Sequence, residues 1–257
     1  MIILLSPSKK QSESGAPIIF DSTQPLGIDK ALFLMKKLKA LSVSEISKIM
    51  NLSDSLAKNT YQDIKKFSLG DENNKLQAIN LFRGDAFQKL DAGSFNKDGL
   101  LFAQDHLIIL SALYGYLKPL DAVQLYRLDM NDTFEISKND NLYHYWKEFI
   151  ITGLNNLLSK QENKIILNLA SSEYFKIIDL KKLSGKVVNV DFNVFKDNDY
   201  KTIGIYAKRG RGLLTRYIID NKIDSPEKIV NFKGDGFEYL KSLSTPEHYV
   251  FALTIKN

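Results

Sequence analysis

Short apolar runs of strand length, separated by stretches with helical periodicity, constrain the fold of this 257-residue chain more than any other feature. The clearest helix is Leu142–Leu158, whose apolar residues recur every three or four positions and so form one face. Apolar runs bounded by polar residues predict strands at Ile2–Leu5, Ala78–Phe82, Leu107–Leu113, Lys164–Leu169, Lys186–Phe195, Lys201–Ala207 and Tyr249–Thr254. Further helices are predicted at Asp29–Ala40, Ser44–Met50, Asp54–Phe67, Asp98–His106, Ser172–Ile178, Leu213–Asn221 and Pro226–Val230.

The order of these elements predicts the fold class. Strands and helices alternate in part, while several strands are placed to pair as hairpins, so the sheet is expected to be mixed. The class is therefore α/β or α+β, with a mixed β-sheet flanked by helices. No internal repeat, proline-rich linker or low-complexity tract divides the chain, so residues 1–257 are expected to form a single domain.

The absence of cysteine excludes several kinds of chemistry at once. Disulfides, thiolate metal sites, iron–sulfur clusters and cysteine nucleophiles all require it. The three histidines, His106, His144 and His248, are far apart in sequence and form no zinc-binding motif, so no metal or cofactor is expected. Apolar runs such as Leu107–Leu110 are too short to span a membrane, and Met1–Ser6 lacks the basic region of a signal peptide. We therefore expect a cytoplasmic protein without a membrane partner.

The arginines indicate an anionic ligand more strongly than the net charge of +5 does. Only five of the 35 basic residues are Arg, and three of them lie within residues 209–216. The planar guanidinium suits phosphate and carboxylate better than an ammonium group does. Gly210-Arg211-Gly212 follows a predicted strand and opens a predicted helix, although Thr215 replaces the third Gly of a dinucleotide-binding fingerprint. An anion site at this helix start and a simple glycine-permitted turn are equally open interpretations.

Residues 44–67 resemble a helix-hairpin-helix, a motif that presents backbone N–H groups to a DNA phosphate. Asn51, Leu52 and Ser53 form the hairpin, with Asn51 and Ser53 at the positions where Gly is usual. Asn tolerates the left-handed conformation better than most residues. Lys58 and neighbouring lysines add positive charge. On spacing alone, an ordinary helical hairpin that packs its apolar residues into the core is the favoured alternative.

Several longer segments form an ordered set of motifs from residue 1 to about residue 221. They are Leu5–Lys9, Phe82–Asp85, Leu110–Asp121, Tyr126–Met130, Leu142–Trp146, Asn168–Lys176 and Tyr206–Ile219. In sequence and in order these segments resemble the YaaA-like family of bacterial peroxide-stress-response proteins.

The resemblance implies a cytoplasmic protein that protects bacteria against hydrogen peroxide and limits DNA damage linked to intracellular iron. It also implies DNA binding through a basic cleft and a helix-hairpin-helix. Double-stranded or distorted DNA, bound with little sequence specificity, is therefore the expected partner. The resemblance implies no reaction and no cofactor.

The motifs place polar residues where predicted strands end, and in an open sheet ligand clefts form at strand ends. We therefore expect one basic cleft. The expected DNA- or anion-binding residues are Lys9, Arg83, Lys118, Arg127, Lys176, Lys208, Arg211 and Arg216. The expected polar and orienting residues are Ser6, Asp85, Ser171 and Glu173, together with Asp121 and Asp129. The aromatic residues Tyr114, Tyr116, Tyr126, Tyr145 and Trp146 fit the core better than a base-stacking surface.

A second hypothesis is an enzyme that acts on damaged DNA or on a small phosphorylated or carboxylate molecule in the same cleft. Asp85 and Glu173 are suited to proton transfer, and Lys9 to general acid–base or Schiff-base chemistry. Structural ion pairs use the same residue types, so a protein without chemistry of its own is the preferred interpretation. Direct iron binding is disfavoured because the chain offers no Cys and few His ligands.

Overall fold

The computed structural model describes residues 1–12, 20–68, 75–138 and 140–254. Its strands are β1 (Ile2–Leu5), β2 (Leu76–Gln77), β3 (Leu107–Ser111), β4 (Gly115–Leu117), β5 (Ala122–Val123), β6 (Ile165–Leu169), β7 (Lys186–Lys196), β8 (Asp199–Lys201), β9 (Glu238–Tyr239) and β10 (His248–Thr254). Its α-helices are α1 (Ile28–Lys39), α2 (Val43–Met50), α3 (Asp54–Lys66), α4 (Ala78–Leu81), α5 (Asp85–Leu90), α6 (Lys97–His106), α7 (Leu142–Leu158), α8 (Ser172–Phe175) and α9 (Gly204–Asp220). Short 3₁₀ turns occur at Ala92–Ser94, Pro226–Asn231 and Lys241–Leu243.

The main sheet is mixed, and this confirms the predicted fold class. Within the described residues it has eight strands in the order β4-β3-β1-β6-β7-β10-β9, with β8 paired to β7. The five central strands run parallel, and β4, β8 and β9 are antiparallel additions. Every residue of β1 and β3 is buried, as expected for parallel strands covered on both faces.

Strand β1 lies where the order of the parallel strands reverses. The chain leaves β1, passes through helices and returns as β3 on one side, whereas β6 pairs on the other side. Ligands of open α/β sheets bind beyond the carboxyl ends of the strands at such a switch point. The segments that follow β1 and β6 therefore border the crevice where a ligand is expected.

The aromatic residues of the motifs fill the core, as the sequence favoured. Tyr114, Tyr116, Tyr126 and Trp146 are buried, and Tyr145 is half-buried against them. Trp146 lies on α7, the helix predicted at the same residues, and its Nε1–H donates to the Ala112 carbonyl at 2.8 Å. The phenol of Tyr126 and the hydroxyl of Ser111 share a hydrogen bond of 2.7 Å. Stacking of these buried rings on DNA bases is thereby excluded.

The predicted strand Ala78–Phe82 was wrong, because most of it is the short buried helix α4. An apolar run of this length has the same composition in a buried strand and in a buried helix, so periodicity alone does not separate them. Tertiary hydrogen bonds decide the outcome: the Ala78 N–H donates to the Asp121 carbonyl, and the Ile79 N–H donates to the Pro119 carbonyl.

The predicted strand Lys201–Ala207 was also wrong. A tight turn at Asp197 and Asn198, both with positive φ, follows β7. Strand β8 therefore begins at Asp199, before the predicted start, and ends at Lys201. Helix α9 then begins at Gly204, well before the predicted start at Leu213. Gly210, Arg211 and Gly212 consequently lie inside a helix, so the proposed anion site at a helix start does not exist there.

Two of the three glycines of α9, Gly210 and Gly212, are explained by packing. A Cβ on Gly210 would meet the ring of Phe192 on β7 at 2.2 Å, and one on Gly212 would meet the Ala86 carbonyl oxygen of α5 at 2.0 Å. Both are far inside the van der Waals limit. The two glycines therefore let α9 approach the sheet on one side and the backbone of α5 on the other. Arg211, between them in sequence, is held at this junction.

Adding a methyl group at Gly212 tests this close approach. We expect Gly212→Ala to lower the free energy of unfolding by about 1–3 kcal/mol, because a backbone carbonyl has no room to move away. Gly204→Ala is the matched control in the same helix, since nothing lies within 4 Å of its Cβ. It should be neutral or stabilising by up to about 1 kcal/mol through helix propensity. Urea unfolding measures both, and equal effects of the two substitutions would contradict the packing.

Candidate functional site

A cavity of about 540 Å³ opens beyond the carboxyl ends of β1 and β6, and we call it the switch-point cleft. Four segments form its walls: residues 5–10, residues 83–88, residues 169–174 and the middle of α9. The lining side chains that bear charge are Lys9, Lys10, Arg83, Asp85, Asp129, Glu173, Lys208 and Arg211. The cleft thus lies at the crevice that the strand order identifies.

The structure brings nine of the sequence-predicted site residues into this cleft. They are Ser6, Lys9, Arg83, Asp85, Asp129, Ser171, Glu173, Lys208 and Arg211. Lys10, Gln88 and Tyr174 also line it and were missed. Gln88 belongs to α5, a helix that the sequence analysis did not predict, whereas Tyr174 stands beside Glu173 in a recognised motif and was within reach of prediction.

Hydrogen bonds join the segments that follow β1 and β6. The Ser6 hydroxyl donates to the Ser171 hydroxyl oxygen at 3.1 Å, and the Ser171 N–H donates back to the Ser6 oxygen at 2.8 Å. The turn at Gly84 packs directly on Ser8, where a Cβ would lie 2.3 Å from the serine Oγ. These contacts fix the inner walls of the cleft without any bound ligand.

Asp129 organises one rim of the cleft. Its two carboxylate oxygens accept from the Lys9 ammonium at 2.9 Å and from the Tyr174 hydroxyl at 3.2 Å. The hydrogen bond to Asp129 raises the pKa of Lys9 above its ordinary value. A Schiff-base nucleophile requires the neutral amine, and this arrangement favours the protonated one. The ion pair with Asp129 therefore disfavours Lys9 as a nucleophile and favours a role as a protonated cation.

Arg211 differs from the other cations because one of its donors is buried without a hydrogen-bond partner among the described residues. This donor is its Nε, which is inaccessible to solvent. Burial lowers the pKa of Arg211 in spite of the opposing influence of Asp191. A buried donor without an acceptor costs free energy that a bound anion would recover. Arg211 is thus the strongest single indication of an anionic ligand.

Arg216 does not take part in the cleft, contrary to our expectation. Its guanidinium donates to Asp220 at 2.6 Å, to the Asp91 carbonyl at 3.0 Å and to the Ser94 hydroxyl, and it lies 4.6 Å from the Phe95 ring centroid. These contacts fasten α9 to the turn after α5. The residue is a structural clamp rather than a phosphate ligand.

Lys118 also lies elsewhere. It borders a separate depression with Met1 and His106, beyond the amino end of β1. The nearby Asp121 is buried, where it accepts from the Thr23 hydroxyl at 2.7 Å and from the Lys118 backbone N–H at 2.8 Å. Burial raises the pKa of Asp121. This carboxylate holds the backbone and does not orient a cleft cation.

Arg127 and Lys176 lie near the cleft but outside it. Arg127 borders a small adjoining depression that also includes Lys9 and Asp129. The Lys176 ammonium donates to the Asn131 side-chain oxygen at 3.0 Å and stands 4.1 Å from the Tyr143 ring centroid. Both residues are placed to add positive charge around the rim.

The helical hairpin predicted at residues 44–67 is present as α2 and α3. Asn51 adopts the left-handed conformation at φ 50° that its sequence position indicated, and Leu52 packs partly against the core. Ser53 precedes α3 without a side-chain capping bond, and Lys58 is exposed. DNA binding by this hairpin stays a prediction.

A loop connects the hairpin to the cleft. The Thr133 N–H donates to the Ile49 carbonyl of α2 at 3.1 Å. Two residues earlier, the Asn131 N–H donates to the Glu173 carboxylate of the cleft wall at 3.3 Å. The hairpin and the cleft are therefore neighbouring parts of one surface.

Nothing in the described part of the chain forms a recognisable metal centre. No group of three or more His, Asp or Glu side chains converges there in a way that could hold an ion. Two histidines instead face single carboxylates: His144 faces Asp140 at 2.7 Å, and His248 faces Asp191 at 2.8 Å. Across the same described residues, no helix combines the length and apolarity needed to cross a membrane.

Comparison with known proteins agrees with the motifs. Residues 1–243 match the family model described as peroxide stress protein YaaA. The chain belongs to this family. A UPF0246 protein of Legionella pneumophila strain Corby is 41% identical over 253 residues, which cover 98% of each chain. A UPF0246 protein of Crocosphaera subtropica is 39% identical, over 98% of this chain and 99% of its own. A UPF0246 protein of Francisella philomiragia is 40% identical, over 95% of this chain and 96% of its own. Membership of the family supports a role in the bacterial peroxide stress response.

Replacing Arg211 by a neutral side chain of similar length tests whether its buried, unpartnered Nε–H costs stability. We expect Arg211→Met to raise the free energy of unfolding by up to about 1–3 kcal/mol, because the desolvated donor disappears while the aliphatic stem is retained. Urea denaturation without added anions measures the effect. A clear loss of stability would show that the guanidinium has stabilising partners in the free protein.

The carboxyl group of Asp132, next to the cleft rim, predicts a pH dependence. Burial raises its pKa to about 6, even though the carboxylate accepts the Asp129 N–H. In the unfolded chain the group ionises near pH 3.9. As the pH rises from about 4 to 6, the unfolded state therefore gains more from ionisation than the native state, and stability falls.

Asp132→Asn keeps an acceptor for the Asp129 N–H but does not ionise. Relative to the wild type, it should gain about 1–2 kcal/mol at pH 7.5 and little at pH 4.5. Urea unfolding at both pH values gives the comparison. A constant difference between the two proteins across this range would show that Asp132 ionises normally in the native state.

Proposed function

We propose that the protein binds DNA in the cytoplasm during the peroxide stress response and so limits DNA damage linked to iron and peroxide. Binding involves double-stranded or distorted DNA and depends little on sequence, because Lys and Arg contact phosphates rather than base edges. The observation that carries the proposal is the group of five basic side chains, Lys9, Lys10, Arg83, Lys208 and Arg211, that lines one cleft at the switch point of the sheet.

The charge distribution around the cleft supports this proposal. Asp129 is paired with Lys9, so the carboxylate and the ammonium nearly cancel at that rim. Lys10 and Lys208 are exposed and belong to different walls, one to the segment after β1 and the other to α9. A phosphate backbone that crosses the mouth can therefore contact cations of more than one wall.

The neighbouring hairpin extends the same surface. Its α3 carries the exposed Lys58, and the loop through Thr133 and Asn131 joins it to the wall of the cleft. A duplex presents several phosphates in succession to the protein. A second basic element beside the cleft therefore contacts further phosphates and increases the number of counterions released on binding. Asp54 in the first turn of α3 limits how closely a phosphate approaches that helix start.

A second candidate function is an enzyme that acts on damaged DNA or on a small phosphorylated molecule in the cleft. It is favoured by the carboxylates of Asp85 and Glu173 on the cleft wall, which are suited to proton transfer. This candidate predicts that Glu173→Gln abolishes a turnover and leaves DNA affinity nearly unchanged. Equal loss of both would assign Glu173 to binding or folding instead.

Fluorescence anisotropy with duplex, bubbled and single-stranded DNA across a salt series tests DNA binding. We expect Lys208→Ala to weaken binding to all sequences similarly and to reduce the log–log salt slope by about 0.9, the loss of one phosphate contact. Lys160→Ala removes the same charge from an exposed site beyond the amino end of β1 and should have no effect. Identical behaviour of the two variants, or no binding at low salt, would reject the cleft as the DNA site.

A further inference from the structure

We propose that the switch-point cleft recognises a phosphomonoester carried by a single nucleotide, with the half-buried Arg211, whose Nε lacks a partner among the described residues, as the cation that the phosphate contacts. This inference rests on the proposed function and specifies which part of a nucleic acid enters the cleft. The phosphomonoester belongs either to the terminal nucleotide of a DNA strand or to a free mononucleotide. Both sources share the chemistry that the cleft is suited to bind.

The size of the cleft favours a single nucleotide. Its volume of about 540 Å³ lies within the range of sites that enclose small molecules, about 300–1,000 Å³. A continuous duplex is too wide to enter such a cavity and can only cross its mouth. A strand end or a free nucleotide can enter.

The position of Arg211 requires a ligand that enters. Gly210 and Gly212 set α9 against β7 and α5, and Arg211 lies at that junction with its Nε below the solvent-accessible surface. Phosphates that cross the mouth contact the exposed Lys10 and Lys208 first. A phosphate group at the end of a chain is free to advance further and to accept from the Arg211 guanidinium.

The charge of the lining matches a terminal phosphate. The cleft has five basic side chains and three acidic ones, which leaves two positive charges. A phosphomonoester carries about −1.5 to −2 at pH 7, whereas an internal phosphodiester carries one negative charge. The three carboxylates would repel a ligand that brought several phosphates into the cleft. A single dianion is accepted, because the five basic side chains exceed the three carboxylates by two charges.

The remaining lining suits the nucleoside. The half-buried Pro7 and the edge of the largely buried Phe87 provide apolar surface for a base or sugar. Asp85 and Glu173 are acceptors for base amino groups or sugar hydroxyls, which phosphate alone does not offer. Apolar surface with a few placed polar groups is the usual composition of a small-ligand site.

The test compares ligands that differ only in the phosphomonoester. Short duplexes and single strands with a 5′-phosphate, a 3′-phosphate or hydroxyl ends, together with deoxyadenosine monophosphate and inorganic phosphate, compete against a labelled 5′-phosphorylated strand. Closed circular DNA provides phosphodiesters without ends. We expect a phosphorylated end to bind at least about 10-fold more tightly than a hydroxyl end, and the mononucleotide to compete better than inorganic phosphate.

Variants connect the preference to Arg211. Arg211→Met should abolish the discrimination between phosphorylated and hydroxyl ends, and Arg211→Lys should retain part of it because the charge remains without the planar fork. Lys160→Ala is the control with the same loss of charge and should keep the preference. Thermal unfolding of each variant verifies that the fold is intact.

The outcomes separate this inference from the proposed function. DNA binding that is equal for circular, hydroxyl-ended and phosphorylated DNA, and unchanged in Arg211→Met, would overturn the inference and leave DNA binding in place. Mononucleotide binding that requires Arg211, without any affinity for DNA, would support the inference and reject DNA binding. Competition by inorganic phosphate as strong as that by the mononucleotide would overturn the assignment to a nucleotide. No binding of any ligand would overturn both.

Discussion

Strand β1 pairs in parallel with β3 on one side and with β6 on the other, and the position of the cleft depends on this double pairing. The pairing with β6 aligns Leu5 with Leu169, so the two strands end at the same level. Ser6 and Ser171 then meet through reciprocal hydrogen bonds. If β1 moved by one residue relative to β6, its buried side chains would change faces and the two serines would separate.

The approach of α9 to the sheet and to α5 adds the second requirement. Without side chains at Gly210 and Gly212, the helix packs close enough to place an arginine where solvent does not reach its Nε. Such an arrangement costs stability in the free protein, and proteins retain costs of this kind mainly at functional sites. Arg216, five residues further along α9, donates to the Asp220 carboxylate and to the Asp91 carbonyl. This arginine has a structural role, and its donors have partners, in contrast to the Nε of Arg211.

Residues that follow parallel strands could be assigned from sequence, because the carboxyl ends of such strands meet at one edge of the sheet. Ser6, Lys9 and Glu173 were placed in the cleft on this basis, and the structure locates them there. Helix α5 was missed because six residues make fewer than two turns, which is too short for periodicity to show. The start of α9 was misplaced because Gly210 and Gly212 resemble a turn until their contacts with Phe192 and Ala86 are known.

The cations outside the cleft were misassigned for a related reason. Arg216 stands in the same motif as the cleft residues Lys208 and Arg211, and Lys118 stands in a motif that contributes nothing to the cleft. The surroundings of both cations are set by residues far away in sequence. Arg216 meets the carbonyls of Leu90 and Asp91, and Lys118 lies near Met1. A motif shows that a residue belongs to a pattern, whereas only the tertiary fold shows which surface it joins.

The arginine Nε resonances provide the most direct measurement of the central claim that this cleft takes up a nucleic-acid phosphate. With five arginines in the chain, ¹H–¹⁵N spectra contain few signals to assign. We expect the Nε–H of Arg211 to exchange slowly because solvent does not reach this atom. Titration with a 5′-phosphorylated oligonucleotide should shift the Arg211 signal and the amides of residues 6–10 and 83–88, while Arg216 stays unchanged. Shifts confined to the α2–α3 hairpin, with Arg211 unaffected at saturation, would contradict the account.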